Sequence, residues 1–129
     1  MATWDDVARL ALALPEATEG PTHGGNRSWR VRDKQFAWQR PLRPRDLAEL
    51  GDAAPTGPVL AVRVPDVGAR TALVADSPGV YFTTAHFAGF PAVLVRLADI
   101  GVDELAEVLD EAWCCRAPRR LATQHRAPG

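Results

Sequence analysis

Cysteine and long apolar runs are scarce in this sequence, and their scarcity argues against a secreted or membrane-bound protein. Two cysteines occur among 129 residues, adjacent at Cys114 and Cys115. Neighbours in the chain are badly placed for an unstrained disulfide, so we expect free thiols and a reducing compartment. The longest apolar run, 10–14, is much shorter than the roughly 20 residues that span a bilayer. With no basic segment leading into an apolar stretch at 1–7, we predict a cytoplasmic protein without membrane contact.

An excess of charge of one sign is lacking as well. The chain has 15 Lys and Arg against 16 Asp and Glu, a formal charge of −1. This balance excludes binding to polyanions through overall charge, so a nucleic-acid contact requires local basic patches. Two segments qualify: 27–45 carries seven basic residues and one acidic residue, and 116–126 carries four basic residues and no acidic one. The acidic residues gather in the last predicted helix, which makes the expected surface dipolar.

The apolar content is sufficient for one folded domain. Hydrophobic residues make up 47% of the chain and charged residues 24%, which excludes a disordered or collagen-like protein. We predict a single domain over residues 1–118, because one core is usual at this length. The segment 119–129 is basic and has no apolar periodicity, so we expect part of it to fray.

Apolar residues recur at helical spacing in three segments. The first, 4–14, has Thr3 as an N-terminal cap and Pro15 as its stop. The second begins at Pro65, and the third begins near Val102 and ends before Pro118. The first and third helices carry one apolar stripe each, so each is expected to bury one face. The long connection 40–58 holds a short helical fragment at 46–50.

Alternating apolar and polar residues predict five strands. The segments 28–32 and 35–39 form a hairpin around a turn at Asp33 and Lys34. Further strands are predicted at 59–64, 80–83 and 92–97, and 16–25 is predicted to be a loop. A helix, antiparallel strands and a closing helix predict an α+β two-layer sandwich. Its terminal helices cover one sheet face and leave the other open.

Strict alternation in the hairpin divides its side chains between the two sheet faces. Trp29, Val31, Phe36 and Trp38 are predicted to point toward the helices. The helix residues expected to meet them are Leu10, Leu14, Leu105, Leu109 and Trp113.

The same alternation places arginines from three strands on the open face. They are Arg30, Arg32, Arg63 and Arg96, and Tyr81 shares their face as a residue for stacking a base. Guanidinium groups bind phosphate oxygens in a bidentate manner, so this face is a candidate phosphate-binding surface. The alternative is that an exposed sheet face carries charge for solubility and edge protection alone.

A second candidate site is the loop after the fourth strand, where Thr84 and His86 follow one another closely. Such a loop on a rigid scaffold is a common place for a small ligand or an anion. The alternative is that His86 only bonds loop backbone. In either case we expect its side chain to be at least partly exposed.

Catalytic and metal-binding motifs are absent from the sequence. His23, His86 and His125 lack the short spacing of a zinc site, and there is no CxxC. A nucleophile elbow, a P-loop and a dinucleotide-binding loop are also missing. We therefore predict no catalytic residues, no metal and no cofactor, and a protein that is not an enzyme.

Several short stretches, in a fixed order and spacing, cover nearly the whole chain. They are Leu14-Pro15-Glu16, Glu19-Gly20-Pro21, 29–37, 80–87, 91–97, Ala112-Trp113 and Ala117-Pro118. Taken together, these stretches resemble the MmcQ/YjbR family of small bacterial proteins. The resemblance implies a frataxin-like (CyaY-like) α+β sandwich and a DNA-binding role. Where the family usually has a glycine before the lysine of the hairpin turn, this chain has Asp33, so an anion contact of Lys34 is expected to be weaker.

Residues and resemblance together predict a DNA-binding protein of the MmcQ/YjbR type. Its expected contact residues are Arg30, Arg32, Lys34, Arg63 and Arg96. The alternative is a module that binds a protein partner or a small ligand, with the arginines serving solubility. The oligomeric state is left open by the sequence.

Overall fold

A six-stranded antiparallel sheet forms the centre of the computed structural model, which describes residues 2–22 and 24–126. The strand order across the sheet is β1-β2-β3-β4-β6-β5. The predicted α+β fold is confirmed, while the frataxin-like arrangement stays a prediction. The strands are β1 Ala17–Pro21, β2 Arg27–Val31, β3 Lys34–Gln39, β4 Val59–Arg63, β5 Tyr81–Phe82 and β6 Ala92–Arg96.

Four of the described α-helices contribute to the core on one face of the sheet. Apolar side chains of α1, α3, α4 and α5 join one core cluster with the sheet residues Leu60, Val62 and Val95. Helix α4, the third helix predicted from the sequence, ends where predicted, because Pro118 cannot continue it. The helices of the described residues are α1 Trp4–Leu12, α2 Pro44–Leu50, α3 Val67–Asp76, α4 Val102–Arg116 and α5 Arg119–Arg126.

The predicted core is confirmed for three of the four hairpin residues. Trp29, Val31 and Phe36 are fully buried against the helices. On the helix side, Leu105, Leu109 and Trp113 are buried, and Leu10 and Leu14 are partly buried against the same cluster. The indole N–H of Trp113 donates to the carbonyl of Pro15 at 2.9 Å, which satisfies its one polar atom inside the core.

Trp38 is the fourth hairpin residue, and its predicted orientation toward the helices is wrong. The β2–β3 ladder pairs Trp29 with Ala37 and Arg30 with Gln35, so Phe36 is an extra residue in a β-bulge. Phe36 and Ala37 both join the helix-side core, and strict alternation fails between them. Trp38 therefore packs in the cluster on the opposite sheet face.

The predicted loop at 16–25 contains an additional edge strand, β1. Five residue pairs align it with β2, from Ala17 with Val31 to Pro21 with Arg27. Side chains stabilise this pairing, because Glu19 accepts hydrogen bonds from Arg27 at 2.9 Å and from the Trp29 indole at 3.0 Å. Pairing with a neighbouring strand has overridden a local composition of Gly, Pro and Thr.

The basic tail, expected to fray, forms helix α5 as far as Arg126. Its docking on α4 depends on tertiary contacts that local periodicity does not show. The imidazole of His125 packs edge-on against the Trp113 ring at 4.8 Å, and its Nε2 lies 2.5 Å from Asp110 Oδ1. Residues 127–129 of the predicted tail lie outside the described residues.

The second sheet face, predicted to be open, is partly covered. Val59, Ala61 and Leu94 point to this face and are buried in its cluster. Phe87 from a 3-10 turn and Leu50 from α2 lie against them. The long connection, whose helix begins at Pro44 instead of 46, thus forms a second partial layer.

The hairpin turn stores backbone strain that one substitution is expected to relieve. Arg32 and Asp33 both have positive φ, 49° and 66°, as in the two-residue turns that favour glycine at the second position. Replacing Asp33 with Gly removes the Cβ clash of this conformation, and we expect a gain of about 0.5–1 kcal/mol in the free energy of unfolding. Urea denaturation measures this change in the free energy of unfolding. Asp33→Ala, which keeps a Cβ, is the control, and a stability loss in Asp33→Gly would contradict the assignment.

Candidate functional site

A cleft of about 810 Å³ opens on the second face of the sheet. This volume lies within the range of roughly 300–1,000 Å³ typical of ligand sites. Among the described residues, the cleft lining contains no Asp or Glu. It does contain five arginines, which are Arg30, Arg40, Arg43, Arg63 and Arg116.

The lining side chains come from elements far apart in the chain. Arg30 of β2 and Gln35 of β3 are cross-strand partners next to the bulge, and Trp38 follows on β3. Arg63 is the last residue of β4 and Arg116 the last residue of α4. Strand alternation places Arg63 on this face, because its neighbour Val62 points to the helices.

Arg40 contributes to the structure of the cleft wall. Its guanidinium forms a buried ion pair with Asp46 at 3.1 Å, and Asp46 also accepts from the amide of Arg43 at 2.9 Å. Burial opposes the charge of Asp46, yet the Arg43 amide and the Arg40 guanidinium outweigh it and lower the pKa of this carboxyl. The charge of Arg40 is therefore neutralised, and the pair holds the start of α2 against the sheet.

Arg63 and Arg116 are charged groups without an acidic partner among the described residues. The Nε atom of each is buried and makes no hydrogen bond there. Burial, and then the nearby charge of Arg116, lower the pKa of the Arg63 guanidinium. These two residues concentrate uncompensated positive charge at the cleft, an arrangement that attracts anions.

Aromatic side chains form the apolar part of the cleft. The rings of Trp38 and Phe87 are 6.4 Å apart, and Phe90, which is 41% exposed, lies 6.2 Å from Phe87. The Arg63 guanidinium stacks over Phe90 at 4.7 Å. The cleft therefore offers both cationic groups and flat apolar surface, the combination that binds bases and phosphates.

Arg70 of α3 holds the aromatic segment in place. This arginine is buried, with 7% of its surface exposed. Its Nη1 donates to the carbonyl of Phe87 at 2.7 Å and to that of Phe90 at 2.9 Å, with a longer contact of 3.4 Å to Ala92. One side chain thus ties the segment that carries His86, Phe87 and Phe90 to the helix layer.

The structure brings together some of the predicted phosphate-binding residues. Arg30 and Arg63 both line the cleft. Arg96 lies at the other end of the sheet, because β6 pairs it with the first residue of β4, and it stacks over Phe82 at 4.7 Å. Arg32 is in the hairpin turn and forms an ion pair with Glu16 at 2.6 Å. Lys34, beside that turn, is exposed and does not line the cleft.

The predicted position of Tyr81 on the arginine face is wrong. Register in the sheet pairs Tyr81 with Val95, whose side chain faces the helices. Tyr81 is buried there, and its hydroxyl donates to Glu104 of α4. Burial first, and then the hydrogen bond to Glu104, raise the pKa of the Tyr81 hydroxyl.

The loop candidates Thr84 and His86 lie in different environments. His86 is exposed, as predicted, and lines the cleft beside Phe87 at a ring distance of 5.0 Å. Thr84 is buried, does not line the cleft, and its hydroxyl has no partner among the described residues. The carboxylate of Glu49 on α2 accepts from the amide of Ala85 at 3.0 Å and orients this turn.

Sequence reasoning did not identify Arg40, Arg43 and Arg116 as site residues. The sequence feature that could have identified them is the excess of basic residues in 27–45 and 116–126, the two segments that contain these arginines. Local pattern shows no reason for the two segments to meet, since 70 residues separate them. His23, considered above as a metal ligand, lies outside the described residues.

No group of three His, Cys, Asp or Glu side chains is placed to hold a metal ion within 2–22 and 24–126. None of the described helices combines the length and the apolar character needed to cross a bilayer.

Known proteins resemble this chain in both sequence and fold. Residues 12–115 match the YjbR family model. Uncharacterized protein Rv2570 of Mycobacterium tuberculosis is 52% identical over 124 residues, covering 94% of this chain and 93% of the relative. Uncharacterized protein Mb2600 of Mycobacterium bovis has the same identity and coverage. The crystal structure of Deinococcus radiodurans protein DR2400, domain DUF419, has a TM-score of 0.65 at 18% identity, covering 88% of this chain and 78% of that one.

Arg70 provides a test of how the cleft is held together. Replacing it with Met removes the donor to three backbone carbonyls, and we expect a loss of about 2–4 kcal/mol in the free energy of unfolding. Amide exchange of Phe90 and Ala92 is expected to accelerate. Arg45→Met changes an exposed arginine of α2 and is expected to stay within about 0.5 kcal/mol of the parent. Equal stability of the two variants would show that Arg70 does not anchor this segment.

Proposed function

The chain belongs to the YjbR family, and we propose that it is a non-enzymatic nucleic-acid-binding protein whose cleft holds a single strand. The observation that carries this proposal is the composition of the cleft. Its lining contains arginines and aromatic rings and, among the described residues, no carboxylate.

Charge is the first support for a nucleic-acid ligand. Four lining arginines, Arg30, Arg43, Arg63 and Arg116, form no ion pair with a described acidic residue. Arg30 donates to the carbonyl of Pro21 at 3.2 Å, which leaves its charge uncompensated. Arginine is suited to phosphate because its planar fork matches two phosphate oxygens.

Shape is the second support, and it favours an unpaired strand over a duplex. A duplex presents phosphates on a convex surface and keeps its bases stacked inside. The aromatic side chains that keep exposed surface in this cleft, Trp38 and Phe90, can be reached only by bases that have left a stack. Stacking on aromatic rings is worth about 1–3 kcal/mol per base in proteins that bind single strands.

A phosphorylated small molecule is the second candidate ligand. It is favoured by the cleft volume of about 810 Å³, which accommodates a molecule the size of a nucleotide.

A protein partner has weaker support, because the exposed apolar residues that could contact it come from separate parts of the chain. The large apolar residues with substantial exposure, Leu12, Leu47 and Phe90, belong to three different elements.

Fluorescence anisotropy with a labelled single-stranded oligonucleotide at low salt tests the proposal. With four arginine contacts, the slope of log affinity against log salt is expected near −3, since each phosphate contact on a single strand contributes about −0.7. A duplex of the same sequence is expected to bind more weakly. Absence of binding at high protein concentration, or a stronger preference for duplex, would contradict the proposal.

Two pairs of variants locate the binding surface. Arg30→Gln and Arg63→Gln are each expected to weaken single-strand binding about tenfold, or ~1.4 kcal/mol. Arg32→Gln and Arg96→Gln are the matched controls, because Arg32 is paired with Glu16 and Arg96 stacks on Phe82 outside the cleft. If the controls weaken binding as much as the cleft variants do, the broad sheet face and not the cleft is the binding surface.

A further inference from the structure

Arg63 and Arg116 form a pair of like charges in the lining of the cleft. They come from different layers, Arg63 from the end of β4 and Arg116 from the end of α4. Neither has an acidic partner among the described residues, and the Nε of each is buried there without a hydrogen bond. A buried donor without a partner is unfavourable by roughly 1–3 kcal/mol. An anion that accepts from the terminal Nη atoms of both guanidinium groups would balance their two charges.

The neighbouring thiol does not supply this anion. Cys115 lies close enough for its charge state to couple to Arg63. Burial, and then the charge of Glu111, raise the pKa of the Cys115 thiol, so it stays protonated and neutral near pH 7. Two cations therefore stand together with no negative group of the described chain to balance them.

We propose that Arg63 and Arg116 form a subsite for a phosphomonoester, the terminal phosphate of a nucleotide or of a strand end. This inference deepens the proposed function and rests on it. A phosphomonoester carries a charge of about −1.5 to −2 at pH 7, whereas an internal phosphodiester carries about −1. The terminal group thus matches two guanidinium charges, and its three free oxygens accept from two arginine forks at once.

Aromatic side chains contact the Arg63 guanidinium and form an apolar surface next to the subsite. The Phe90 ring covers one face of the Arg63 guanidinium at 4.7 Å, a cation–π contact that favours this position of the guanidinium. Trp38, which is partly exposed, lines the same cleft. Its indole offers flat apolar surface to a base attached to the bound phosphate.

Competition binding with matched ligands tests the subsite. One arm compares a 5′-phosphorylated single strand with the same strand ending in a hydroxyl. The other arm compares adenosine monophosphate with its phosphate methyl ester and with adenosine. In each arm we expect the phosphomonoester to bind about tenfold more tightly than its partner ligands. If the subsite binds the end of a strand, the preference for the phosphomonoester is expected in both arms. If it binds only free nucleotides, the preference is expected in the second arm alone.

Variants link this preference to the two arginines. Arg63→Gln and Arg116→Gln are expected to abolish the tenfold preference, and Arg63→Lys to retain only part of it because lysine lacks the fork. Arg43→Gln, which changes an exposed arginine of the cleft, is expected to weaken all ligands while keeping the preference. Thermal unfolding of each variant confirms that it is folded.

The possible outcomes separate this inference from the proposed function. If phosphorylated and hydroxyl strands bind equally well, and the nucleotide shows no preference over its ester, the subsite is overturned and single-strand binding stands. If the nucleotide binds with the stated preference and no strand binds, the subsite stands and the proposed function falls. If no ligand of either arm binds, both are overturned.

Discussion

The β-bulge between β2 and β3 is the constraint on which the two faces of this protein depend. One extra residue, Phe36, is accommodated where the ladder passes from Trp29–Ala37 to Arg30–Gln35. Two consecutive side chains of β3 then enter the helix-side core, and every later residue of the strand changes face. The aromatic wall of the cleft therefore contains Trp38, which would otherwise lie in the main core.

Buried cations hold the partial layer that gives the second face its concave shape. Arg40 pairs with Asp46 beneath α2, and Arg70 binds backbone carbonyls of the aromatic segment. Both guanidinium groups are satisfied and buried, so their role is structural. Arg63 and Arg116 differ, because each retains a buried N–H without a partner among the described residues. Arg40 and Arg70 thus stabilise the walls of the cleft, whereas Arg63 and Arg116 are the arginines that the proposed ligand would engage.

The near-zero net charge of the chain coexists with a cleft that is locally rich in arginine. Acidic residues of α4 lie in the helix layer on the opposite side of the sheet, where Glu104 accepts from Tyr81 and Asp110 pairs with His125. The cleft lining holds five arginines and, among the described residues, no carboxylate, and its aromatic walls of low dielectric constant strengthen the local field. Local arrangement, and not the total of −1, governs what this surface attracts.

Sequence by itself determined the α+β class, the helices with clear caps and stops, and the faces of β4 and β6, because these follow from local periodicity. It placed Arg30 and Arg63 on the second sheet face for the same reason, and it predicted the exposure of His86 from the loop in which this residue lies. Tertiary structure decided the orientation of Trp38, the helix-facing position of Tyr81, the edge strand β1 and the docking of α5. It also brought Arg116 to the cleft. Pairing register and the meeting of distant segments depend on contacts that adjacent residues do not encode.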